Sequence, residues 1–128
     1  MAEIGVDYGR ARTGFAVHLS GVVLPLDPML NTTWERIRKR LESIQDENGR
    51  GTVVLGLPLS ASGRPTLLSR EVEVLAEFLR EKGFNVELVV ETGSTAEAGS
   101  HSAGVGRRDG RLDSMAAMII LKRYLGMP

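Results

Sequence analysis

Apolar and polar positions change period several times along this chain, and each change marks an element. Residues 3–7 (EIGVD) form a short apolar run that stops at Tyr8-Gly9, the pattern of a strand entering a turn. Residues 13–19 (TGFAVHL) alternate as a second strand, and residues 21–24 suggest a third. The brief Ser20-Gly21 link makes these two antiparallel neighbours. Pro25, Asp27 and Pro28 then break the pattern.

A helix follows. Thr32 and Glu35 stand at capping-box spacing, and Trp34, Ile37, Leu41 and Ile44 make one apolar stripe, surrounded by Arg36, Arg38, Lys39 and Arg40. Gly49 and Gly51 close that segment. Residues 52–57 (TVVLGL) are uninterruptedly apolar, as in a central strand buried on both faces. After a polar loop at 58–65, Leu68, Val72, Leu75 and Leu79 mark a second amphipathic helix with Gly83 where a C-cap belongs. Residues 85–90 (NVELVV) read as the last strand. Ser94 and Glu97 have capping-box spacing and predict a short helix. The glycine-rich stretch 99–110 (GSHSAGVGRRDG) predicts a mobile surface loop. The final helix spans residues 111–125, with Leu112, Met115, Ala116, Ile119 and Ile120 expected to face inward.

The order β-β-β-α-β-α-β-α-α predicts an α/β fold: a mixed five-stranded sheet, three antiparallel strands first, flanked by helices. A length of 128 residues is about one domain, and no internal repeat divides residues 1–128. With 42% hydrophobic and 25% charged residues, a disordered chain is not expected. The absence of cysteine removes disulfide frameworks, thiolate zinc sites and cysteine nucleophiles together. No signal-peptide pattern opens the sequence and no apolar run is long enough to span a bilayer, so a soluble, cytoplasmic protein without a membrane partner is expected. Sixteen basic and 16 acidic residues cancel, which argues against holding nucleic acid by bulk charge and leaves a local basic surface open.

Three acids stand at element ends. Asp7 closes the first strand, Glu91 follows the last, and Asp113 lies in the first turn of the final helix. Hydrolysis of a phosphodiester needs an activated water and a stabilised leaving oxyanion. Mg2+ or Mn2+ supplies both, and such hard cations take carboxylate oxygens. Each acid also has an ordinary reading: a turn residue, a solvated strand end, and a residue favoured by the helix dipole.

Longer blocks carry a resemblance. GVDYGRARTGFAV resembles the opening of YqgF/RuvX proteins, G-x-D-x-G-x-x-R-x-G-x-A, with Asp7, Gly9, Arg12, Gly14 and Ala16 in place. VVLGLPLSASG, residues 53–63, is similar to their second signature, with Gly56, Pro58 and Gly63 matching. LDSMAAMIILKRYL, residues 112–125, resembles their closing helix through Asp113, Ala116 and Ala117. One block departs: where the family has D-E-R-x-[ST]-T, this chain has Val90-Glu91-Thr92-Gly93-Ser94-Thr95, keeping the glutamate and the Ser-Thr pair but losing an acid and an arginine.

The resemblance implies an RNase H-like fold and metal-dependent cleavage of structured nucleic acid, as a Holliday junction resolvase or a nuclease of pre-16S rRNA processing. Asp7, Glu91 and Asp113 would be the catalytic, metal-binding acids, with Mg2+ or Mn2+ as cofactor. The expected partner is branched DNA or precursor rRNA. A homodimer would present two sites to a four-way junction, although no sequence feature specifies one.

Candidate nucleic-acid contacts are Arg10 and Arg12 beside the Asp7 turn, Ser94 and Thr95 at a predicted helix start, and Arg107 and Arg108 in the glycine-rich loop. Either of the last two could make up for the missing arginine. The ordinary readings are an ion-paired surface arginine, a plain helix cap, and solvated loop charges. Neither His18 nor His101 has a second histidine at ligand spacing, and Trp34 is expected in the core rather than stacking on a base.

Two rivals come from other classes. Asp7, Gly9 and Gly14 also resemble the first phosphate motif of the sugar kinase/actin superfamily, but those ATPases close two such domains around a nucleotide and this length supplies one. A catalytically weak protein that binds nucleic acid or the ribosome is the other, kept open by the altered Val90-Glu91-Thr92 block.

Overall fold

A computed structural model of the chain describes residues 2–92 and 110–128, with the backbone alone over 110–113. Five strands form one sheet in the order β3-β2-β1-β4-β5: β1 Glu3–Asp7, β2 Arg12–Leu19, β3 Val22–Leu30, β4 Val53–Leu59 and β5 Val86–Thr92. β1, β2 and β3 pair antiparallel in sequence, while β4 pairs parallel to both β1 and β5. Three helices accompany them: α1 Trp34–Asn48, α2 Leu67–Glu81 and α3 Gly110–Leu125. This is the mixed sheet that the hydrophobic pattern predicts. The short helix at Ser94–Glu97 and the loop at 99–109 lie outside the described residues.

The period of two along each strand sorts side chains between two cores. On one face Ile4, Val6, Phe15, Val17, Val53, Leu55 and Val86 pack with Ile37 and Leu41 of α1 and Leu75 and Leu79 of α2, all buried. Trp34 packs against this core, its ring tilted over Phe78 at 5.6 Å between centroids, so it is a core residue as expected. On the other face Ala16 and Val54 meet Ala117, Ile120 and Leu121 of α3.

Three details correct the sequence reading. Pro25 and Pro28 do not end the third strand, which continues to Leu30. β3 is the edge of the sheet, where a missing N–H costs no ladder bond, and the register slips by one residue between Thr13 and Phe15, a bulge that admits Asp27 and Pro28. The cap of α1 is Thr33, which accepts from the Arg36 N–H at 3.2 Å, and not Thr32. Thr32 is drawn away by a 2.8 Å hydroxyl contact with Thr13.

The third correction concerns α3. Its buried positions are Ser114, Ala117, Ile120 and Leu121, while Met115 and Ile119 are exposed. The reason is the sheet beneath. A Cβ on Gly5 would lie 2.5 Å from the Ala117 carbonyl oxygen, and one on Gly56 would lie 2.5 Å from Ile120 Cδ1. The glycines let the helix approach closely, so Ser114, Ala117, Ile120 and Leu121 share the contact face, while Met115 and Ile119 fall to its flanks.

Candidate active site

β1, β4 and β5 run parallel, so their carboxyl ends share one edge of the sheet, the usual place for a site in such folds. Asp7 is the last residue of β1. Glu91 lies two strands away near the end of β5, in register with Pro58 of β4. Both fall on the face covered by α3. Gly5, two residues before Asp7, meets Ala117, and Glu91 meets Arg123. Between them Gly56 leaves room: a Cβ there would come within 3.6 Å of Glu91 Cγ.

The Asp7 carboxyl senses its burial and then the nearby Glu91. Glu91 is only 3% exposed, so its charge is held almost wholly within protein. Desolvation, and then the Glu91 charge, push the Asp7 carboxyl up to about 6. Hard oxygen donors sharing a poorly hydrated edge suit Mg2+ or Mn2+ in chemistry. Among the described residues no group of three acids or histidines gathers, and the side chain of Asp113 is outside that description.

The backbone of Asp113 is nonetheless placed. Its neighbour Ser114 is fully buried, donates to the Leu26 carbonyl at 2.5 Å and accepts from the Phe15 N–H at 3.4 Å. This ties the first turns of α3 to the bulged β2–β3 pair. Gly14, next to Phe15, is the β2 partner of Asp7. From there α3 crosses the sheet, with Ala117 over Gly5, Ile120 over Gly56 and Arg123 at Glu91.

The turn after Asp7 is built from its own residues. Thr13 is fully buried, and its hydroxyl donates to the Gly9 carbonyl at 3.0 Å and accepts from the Gly9 N–H at 3.3 Å. The Arg10 and Ala11 carbonyls accept from Thr32 and Asn31 at 3.0 and 2.9 Å. A Cβ on Gly9 would meet the Arg12 carbonyl oxygen at 2.5 Å, which explains the glycine. Below the turn, the Tyr8 hydroxyl donates to Glu71 of α2 and accepts from Trp34 Nε1 at 3.2 Å.

The basic candidates divide. Arg10 forks onto Glu71 at 2.5 and 3.0 Å, although its side chain is 80% exposed. Hydrogen bonds from Arg10 and then Tyr8 hold the Glu71 carboxyl below the usual range. Arg12 is half-buried and opens β2 opposite Leu30. Ser94, Thr95, Arg107 and Arg108 lie outside the described residues. His18 pairs with Glu3 at 2.7 Å, away from the acids.

Sequence reading missed Arg123 and Ser114. The helix signal is visible afterwards: Ser114, Ala117, Ile120 and Arg123 recur every three residues, one stripe disguised by its small and polar members. Arg123 Nη1 lies 3.1 Å from Glu91 Oε1 and 3.4 Å from the Val90 carbonyl oxygen.

Comparison with known proteins agrees with this geometry. The family described as "RuvX: Holliday junction resolvase" matches residues 1–127. A relative from Oleidesulfovibrio alaskensis named "Putative pre-16S rRNA nuclease" is 35% identical over all of this chain and 94% of its own length. One of the same name from Thermus thermophilus is 35% identical over 94% of this chain and 93% of its own. Among solved structures, T. thermophilus RuvC in complex with Holliday junction substrate aligns over 98% of this chain and 95% of its own, with a TM-score of 0.55 at 15% identity. That likeness speaks to the fold, which is RNase H-like. The family match and the relatives together show that the chain belongs to the RuvX family of nucleases.

Proposed function

We propose that this protein is a divalent-metal-dependent endonuclease acting on structured nucleic acid, with Asp7, Glu91 and Asp113 as its metal-holding acids. One observation carries the reading: Asp7 and Glu91, 84 positions apart in sequence, lie on the α3-covered face of the sheet's carboxyl edge, where desolvation and then the Glu91 charge raise the Asp7 pKa. Carboxylates gathered at a poorly hydrated edge favour a bound cation beyond the one that Arg123 brings to Glu91. A bound Mg2+ or Mn2+ supplies Lewis-acid stabilisation of the phosphate's developing charge and makes water a competent nucleophile near neutral pH.

The chain's own residues do the rest. The Tyr8-Gly9 turn, braced by Thr13, sets the backbone beside Asp7 and carries Arg10 and Arg12 next to it. Arg12 is assigned to the substrate's phosphate, with Arg10 beside it, already oriented by Glu71. Ser94, Thr95, Arg107 and Arg108 fall between two of the acids in sequence and are assigned to the backbone of the substrate. The family description points to branched DNA and the names of the relatives to precursor 16S rRNA, a cytoplasmic substrate.

Labelled four-way junctions and structured precursor RNA, each incubated with purified protein plus Mn2+, Mg2+ or EDTA, test this directly. Metal-dependent cuts that disappear in Asp7→Asn are expected, and the substrate that is cut identifies the class. Equal cutting by the variant, or none of either substrate by the wild type, removes the nuclease reading and favours a nucleic-acid-binding protein.

A further inference from the structure

Arg123 stands in the last turn of α3, where the helix dipole favours a cation whatever the surroundings. That preference alone would leave the guanidinium in water. Here it turns onto the sheet, Nη1 reaching Glu91 Oε1 at 3.1 Å and the Val90 carbonyl at 3.4 Å. Its side chain is 43% exposed while that of Glu91 is 3% exposed, so the arginine brings charge from the surface to a buried acid. The next residue along the strand, Thr92, brings none.

We propose that Arg123 is the internal counter-ion of the Asp7–Glu91 pair, holding Glu91 in the metal-free protein and opposing a divalent cation at the same carboxylate. The inference rests on the acids being the metal site. A buried carboxylate stripped of a charge partner destabilises the fold strongly, and a second acid nearby adds to the cost. Arg123 offsets both while the site holds no metal. Its exposure leaves it free to swing into solvent when a doubly charged ion takes over Glu91. The arrangement trades affinity for stability: the site folds without metal and binds it less tightly than bare acids would.

Mn2+ binding by calorimetry and thermal unfolding in EDTA, both on the full chain, decide the matter. Arg123→Gln should bind Mn2+ about tenfold more tightly, the order expected when one unit charge stops repelling a divalent ion across partly solvated protein. The same variant should melt lower in EDTA. That loss should vanish in a Glu91→Gln background, where no carboxylate remains to be offset. Arg123→Lys, which keeps the charge, should bind Mn2+ as the wild type does. Unchanged or weaker Mn2+ binding by Arg123→Gln, while Asp7→Asn abolishes it, overturns the counter-ion role and leaves the metal site standing. Wild-type protein that binds no Mn2+, or Asp7→Asn that binds it normally, overturns the metal site and the inference with it.

Discussion

Asp7 carries its charge where water cannot fully solvate it, and the consequence for stability has a definite sign. Its folded pKa of about 6 lies above the ordinary value of 3.8, so between these limits the folded state binds more protons than the unfolded one. Stability of the metal-free protein therefore falls as pH rises from about 4 to about 6, and the cost, up to about 3 kcal/mol, is fully present above that window. Asp7→Asn removes it. Urea unfolding in EDTA should show the variant more stable than wild type at pH 7 and equal to it near pH 4; a pH-independent difference would contradict the assignment. Gly9 is the second residue with a sharp expectation. Its missing Cβ accommodates the Arg12 carbonyl, a backbone atom that cannot step aside, so Gly9→Ala should cost about 1–3 kcal/mol and lower the melting temperature. Both residues were legible in the sequence because Asp-x-Gly after an apolar run specifies a turn with an acid at its edge. Arg123 was not legible: a cation near a helix end is ordinary, and only the fold reveals which carboxylate lies beneath it.

Among the elements, α3 shows best what sequence patterning resolves and what it does not. The aliphatic run makes a helix evident, and Ile120 is buried as its pattern predicts, but the same pattern also selects Met115 and Ile119, which the structure leaves exposed. The inner face is set by the partner surface, here a floor of Gly5, Ala16 and Gly56, on which Ala117, Ile120 and Leu121 settle. The same logic separates two substitutions of equal chemistry. A methyl group on Gly5 would sit 2.5 Å from the Ala117 carbonyl and 2.8 Å from Leu121 Cβ, neither of which can move without the helix. On Gly56 it would meet only Ile120 side-chain atoms and, more loosely, Glu91 Cγ. Gly5→Ala should therefore be the costlier by at least about 1 kcal/mol in unfolding experiments, with overpacking of a rigid contact as the cause. Ser114→Ala tests the other end of the helix. It takes a partner from the buried Phe15 N–H and the half-buried Leu26 carbonyl, a loss of about 1–3 kcal/mol, and loosens the turn that carries Asp113. β3 is the converse case, in which Pro25, Asp27 and Pro28 were read as breakers but an edge position and a bulge keep them within the strand.

At the scale of the whole molecule, charge is spent mostly on internal bonds. The arginines around the α1 stripe reach the Leu30, Asn31 and Asp27 carbonyls through Arg36 and Arg40, and Glu35 and Glu42 through Arg38. The sheet order was legible because each change of period was clear and crossover connections leave few topologies. Convergence of distant acids was expected only through the family resemblance, since spacing in sequence says nothing of an edge shared by β1 and β5. Under the proposed reading, that convergence couples metal binding to stability. A cation that binds only the folded protein stabilises it by about 2.7 kcal/mol at one hundred times its dissociation constant, roughly 8–12 °C in melting temperature at this size. Wild-type protein should show that rise with Mn2+ and lose it on adding EDTA. Asp7→Asn should begin higher in EDTA, freed of its desolvated charge, and gain little from Mn2+. The two melting curves would then cross as metal is added, an outcome that neither a purely structural acid nor a general loss of stability produces.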